Sequence, residues 1–76
     1  MFVLTKSDIQ HQKSEICCII EDFGNAYMVL LNKLQEFKGE FSVKSVERER
    51  VEVFQKCFLY GSTLVYVFEI HNYSPA

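Results

Sequence analysis

The sequence predicts an α+β domain in the order ββαβββ, with one amphipathic helix packed on one face of an antiparallel sheet. Three observations carry that expectation. Apolar residues recur at helical spacing from about Phe23 to Lys38. The stretch Val51 to Ile70 reads as a β-hairpin around Gly61-Ser62. The short run from Glu15 to Glu21, EICCIIE, is β-branched and bounded by charge.

The helix is the clearest element. At about 100° per residue, Phe23, Ala26, Tyr27, Leu30, Leu31, Leu34 and Phe37 fall on one stripe, while Asn25, Asn32, Lys33, Gln35 and Glu36 fall elsewhere. Asp22 supplies an N-cap carboxylate for the unpaired amides of the first turn. Lys38 complements the C-terminal dipole, and Gly39 is suited to the left-handed conformation that ends a helix. Met28 and Val29 lie off the stripe, side by side, and two such neighbours hint at a contact surface.

Upstream, MFVLTK and EICCIIE are expected to pair as strands through the polar loop SDIQHQKS. A long N-terminal helix followed by a β-meander is the alternative. Ile9, Ile16, Ile20, Phe23, Tyr27, Leu30, Leu34 and Phe37 follow heptad spacing if Lys13 fills one seam position, and Ser7 with Gln10 would form a capping box. Gly24-Asn25 and the weak helix propensity of ICCII count against that alternative.

After Gly39 the β signal dominates. FSVKSVE alternates loosely, and a two-residue turn at Gly61-Ser62 sets the hairpin register. That register places Phe58 opposite Val65, Phe54 opposite Glu69 and Glu52 opposite His71. Val51, Val53, Cys57 and Leu59 then share a face with Leu64, Tyr66, Phe68 and Ile70, and this face takes the helix. The second face carries Phe54, Phe58, Tyr60, Val65 and Val67 among Glu52, Lys56, Glu69 and His71. One helix covers one side of a sheet, so the second side is expected to meet a partner.

Composition bounds the function. At 76 residues the chain is a single small domain, and its hydrophobic content of 49% with seven Phe and four Tyr excludes disorder. Residues 72–76 are expected to fray. Ten acidic against eight basic side chains, a formal charge of −2, argue against a dedicated duplex-DNA binder. No apolar run approaches the roughly 20 residues of a membrane span, and MFVLTKSD is too short an apolar segment for a signal peptide. Three cysteines, an odd number without a secretion signal, suit a reducing cytosol.

Motifs for chemistry are missing. There is no Gly-rich phosphate loop, no Ser-His-Asp constellation and no paired carboxylates, so no catalysis, cofactor or metal is expected. Adjacent Cys17 and Cys18 should point to opposite strand faces and converge poorly on one ion, with Cys18 and Cys57 packing as small hydrophobes. The expected function is a cytoplasmic protein-binding module, a regulator or inhibitor, whose partner is another protein or a second copy of itself. Its interface residues are Phe54, Phe58, Tyr60, Val65, Val67, Met28 and Val29. A single-stranded nucleic-acid binder is the alternative, with Lys44, Arg48, Arg50 and Lys56 holding phosphates beside stacking aromatics if residues 44–60 run as one straight strand.

Overall fold

The structure, a computed structural model, describes residues 1–57, 59 and 61–73. Its elements are β1 (Phe2–Asp8), β2 (Lys13–Ile20), α1 (Phe23–Leu34), β3 (Phe41–Glu47), β4 (Arg50–Cys57) and β5 (Gly61–Asn72). The predicted ββαβββ order is the observed one. All strands are antiparallel in one sheet of order β2-β1-β5-β4-β3. The long N-terminal helix does not form, because EICCIIE is held in register against β1, from Phe2 opposite Ile20 to Asp8 opposite Lys13.

Three one-residue bulges shape the sheet. Cys17 is the extra residue of β2 between Leu4 and Thr5 of β1. Val46 is extra in β3 between the Ser45–Val51 and Glu47–Arg50 pairs. Val65 is extra in β5 between Val53 and Phe54 of β4. A bulge sets two residues against one on the partner strand and so changes which side chains share a face.

The helix starts as the sequence predicts and stops earlier. The Asp22 carboxylate accepts from the Asn25 amide at 3.3 Å. The C-cap is Gln35, in an ordinary right-handed conformation, and the amides of Gln35, Glu36 and Phe37 bond back three residues, to Asn32, Lys33 and Leu34. Gly39 has a positive φ of 70° but lies beyond that tightened turn. The early stop brings Phe37 down onto the sheet, where its ring meets Phe41 and Tyr66 at 5.3 Å and Phe68 at 6.0 Å. Packing of one aromatic therefore outweighs the further turn that Lys38-Gly39 suggests.

The core lies between α1 and the sheet. Leu4, Ala26, Leu30, Val51, Val53, Val65, Phe68 and Ile70 form it, with Phe2, Phe23, Tyr27 and Leu34 packed around. The helix stripe meets the hairpin face at Val51, Val53, Tyr66, Phe68 and Ile70, whereas Cys57 and Leu59 are exposed and Leu64 lies on the other face with Phe54, because the hairpin register differs. Gly61 (φ +80°) pairs with Cys57, so three residues separate the strands, and a left-handed residue closes such a connection. Phe54 consequently faces Leu64 instead of Glu69, and Glu52 faces Val67 instead of His71. Arg48 and Glu49 form a turn, so residues 44–60 are not one strand. Asn72 ends β5 and the Tyr73 amide donates to the Met1 carbonyl at 2.8 Å, so neither residue is part of a frayed tail.

Leu30 is fully buried whereas Leu34 is only partly so. Leu30→Ala is expected to cost about 2–5 kcal/mol by loss of transfer energy and cavity formation, and Leu34→Ala distinctly less. Urea denaturation of both variants measures the order, and the reverse order would mean that the helix is rotated about its axis.

Candidate functional site

The second face of the sheet is the surface that sequence reasoning singled out. Register assigns it Ile16 and Ile19 from β2, Val3 and Thr5 from β1, and Val67, Glu69 and His71 from β5. β4 adds Arg50, Glu52, Phe54 and Lys56, and β3 adds Ser42 and Lys44. Its polar centre is tied together. Arg50 reaches Glu52 at 3.4 Å and Glu69 at 3.3 Å. The Thr5 hydroxyl donates to the Glu69 carbonyl at 3.4 Å and lies 3.3 Å from His71 Nε2. Ion pairs this exposed contribute about 0–1 kcal/mol each, so they order the face more than they stabilise the fold.

That polar band divides the apolar surface in two. On one side lie Ile16 and Ile19, 63% and 56% exposed, beside buried Val3. On the other lie Phe54 and its partner Leu64, both half-buried. Ile16 and Ile19 are three apart, an odd spacing that would put them on opposite faces of a regular strand. The bulge at Cys17 restores them to one face, opposite Thr5 and Val3. The sequence reading missed both, because EICCIIE looks like a buried strand and nothing local says that it forms a sheet edge.

The predicted interface residues are scattered. Phe54 is on the second face, as expected. Val67 is there too, but only 3% exposed, its surface covered by its neighbours. Val65 is turned by its bulge into the helix-side core, at 2% exposure. Val29 also packs against that core, while Met28 beside it is exposed. Phe58 and Tyr60 lie outside the described residues.

Three of the four predicted phosphate-binding cations, Lys44, Arg50 and Lys56, share the second face with Phe54, and Arg48 does not. Lys44 and Lys56 stand on the second face opposite Glu52 and Ser62. Arg50 is engaged by two carboxylates. Arg48, in the β3–β4 turn, lies 5.4 Å from the ring of Phe23 at the start of the helix. The turn takes Arg48 off the face that the other three cations share.

The cysteines also depart from expectation. The bulge lets both Cys17 and Cys18 pack against the helix-side core, and Cys57 is exposed near the hairpin tip instead of buried. Burial, with Glu15 nearby, pushes the Cys17 thiol above its ordinary value, against the opposing pull of Lys33 and Lys6. Among the described residues no three His, Cys, Asp or Glu side chains are placed to hold a metal ion, and no helix is long and apolar enough to cross a membrane.

No protein-family model matches the chain, no curated protein matches it and no solved structure matches it. The reading of its surface therefore rests on its own residues.

Thiolate concentration and access control alkylation. Iodoacetamide at pH 8 is expected to modify exposed Cys57 first and Cys17 last, as read by peptide mass spectrometry over time. Cys17 reacting as fast as Cys57 would contradict its burial under the helix.

Proposed function

We propose that the chain is a non-catalytic protein-binding module that docks a partner through the second face of its sheet. The single observation that carries this reading is the pair Ile16 and Ile19, more than half exposed on one face of an edge strand with Val3 beneath. Apolar anchors beside a rim of satisfied polar groups are the usual anatomy of an interface. Here the rim is Thr5, His71, Glu69 and Arg50, whose hydrogen bonds and ion pairs are already made. A partner burying the isoleucines need not desolvate an unpaired charge. In this reading the protein is a cytosolic regulator or inhibitor that works by occupying a partner's surface.

The face also favours a separate protein over edge-to-edge sheet extension. Both edge strands carry a bulge, at Cys17 in β2 and Val46 in β3, which interrupts the row of backbone groups that a third strand would need. Single-strand nucleic-acid binding has less support, since Arg50 is neutralised and Arg48 sits apart.

The test is a pair of changes with opposite consequences. Ile16→Glu combined with Ile19→Glu should leave the thermal melt nearly unchanged, because both side chains are exposed. It should abolish capture of whatever the parent retains from host lysate treated with nuclease. Val53→Glu, in contrast, places a carboxylate in the core and should unfold the chain. Capture that survives the double change, or that disappears with nuclease in the parent, refutes this reading. Concentration-dependent light scattering abolished by the same double change identifies the partner as a second copy.

A further inference from the structure

Lys6 sits on the opposite face, beyond the end of the helix, and it is unusually placed for a lysine. It lies on β1, next to the edge strand, directly between Glu15 of β2 and Phe68 of β5. Its ammonium is 4.5 Å from the ring centre of Tyr66, 5.8 Å from Phe37 and 5.9 Å from Phe68. Three aromatic rings on the β5 side draw the charge over themselves and away from Glu15 across the strand. Among the described residues the ion pairs are Asp8 with His11 and Arg50 with Glu52 and Glu69, so Lys6 has no carboxylate partner.

A cavity of about 260 Å³ opens beside this ammonium, lined by Lys6, Asp8, Lys13, Ser14, Glu15 and Tyr66. It holds several times the roughly 30 Å³ that one water occupies in the liquid. Lys13 is the second cation on its wall, on the diagonal from Lys6 across the β1–β2 pair. Of the two acidic residues, Asp8 is already occupied: His11 Nδ1 lies 2.8 Å from one oxygen and the His11 amide donates to the other at 3.1 Å. Those contacts hold the Asp8 carboxylate toward His11 without cancelling its charge, so among the described residues the wall presents two ammonium groups without ion-pair partners, beside Glu15, the His11-bound Asp8 and the Tyr66 ring.

We propose that this cavity binds a small oxyanion ligand, held by Lys6 and Lys13, with its remaining atoms against the Tyr66 ring. A partly desolvated cation on aromatic rings gains more from a charge-assisted hydrogen bond than one in open water. The chemistry common to a carboxylate and a phosphoryl group is what the two lysines recognise. The site is formed because β1 and β5 run further than the helix above them, so it is independent of the second-face interface.

The proposal is tested by titrating ¹⁵N-labelled protein with sodium phosphate and, separately, with sodium benzoate, at constant ionic strength held by sodium chloride. Saturable shifts at the amides of Lys6, Lys13, Glu15 and Tyr66 are expected from at least one anion. Response to phosphate alone assigns a phosphoryl ligand, and response to benzoate alone a carboxylate. Lys6→Met keeps the stem on the aromatic rings and should weaken binding at least tenfold. Lys13→Gln, at an exposed position that the fold does not need, should weaken it similarly, whereas Lys56→Gln should not. No saturable response to either anion overturns the proposal. So does a Lys6→Met protein that titrates like the parent or, if that variant fails to fold, a Lys13→Gln protein that does.

Discussion

The pairing of β1 with β5 is the contact on which the rest of the structure depends. It joins residues from opposite ends of the chain, from Phe2 opposite Asn72 to Asp8 opposite Tyr66. On one side of this seam lies the β1–β2 hairpin, with the helix that follows it. On the other lie β3, β4 and β5, consecutive in the chain and adjacent in the sheet. Neither half buries enough apolar surface to stand alone at this size. The seam places Leu4 of the first half beside Phe68 and Ile70 of the second, beneath Ala26 and Leu30 of the helix. Closing so long a loop carries an entropic cost that grows only slowly with length, and one shared core offsets it.

The bulges decide which residues are available for function. Were Cys17 paired with Thr5 and not bulged, Ile16 would leave the second face and Cys17 would leave the core. Were Val65 paired with Phe54 and not bulged, its side chain would lie outside among Phe54 and Val67. Each bulge thus exchanges a side chain between the two sides of the sheet at the cost of local ladder bonds. Two of the three lie on edge strands, where the interruption also discourages pairing with other chains.

A mismatch of lengths produces the remaining surface. Twelve helical residues span about 18 Å, whereas the twelve residues of β5 span about 40 Å. The helix therefore covers only part of one side of the sheet. Phe37 closes the core just past the helix end, and the charged residues of the β1–β2 hairpin occupy the rest. Lys6 is in line with Phe2 and Leu4 along β1, yet it lies beyond the apolar roof that covers them.

Local signals in the sequence were enough to determine the class of fold, the order of its elements and the start of its helix. Helical period, the Asp22 cap and β-branched runs act over a few residues, and their energies do not need the rest of the chain. The apolar faces of Val51 and Val53, and of Phe68 and Ile70, were legible for the same reason. Strand order, the bulges and the hairpin register were decided only by tertiary structure. A slip or an extra residue in a strand changes no local propensity, yet it reassigns every side chain beyond it. Val65 is therefore inside where an unbulged strand would place it outside, Ile16 and Ile19 share a face only through the Cys17 bulge, and Val29 is covered because the helix flank faces the sheet. Lys6, a lysine among polar residues, carries no local signal. Its three aromatic neighbours, Phe37, Tyr66 and Phe68, come from distant segments that meet only when β1 and β5 close the sheet.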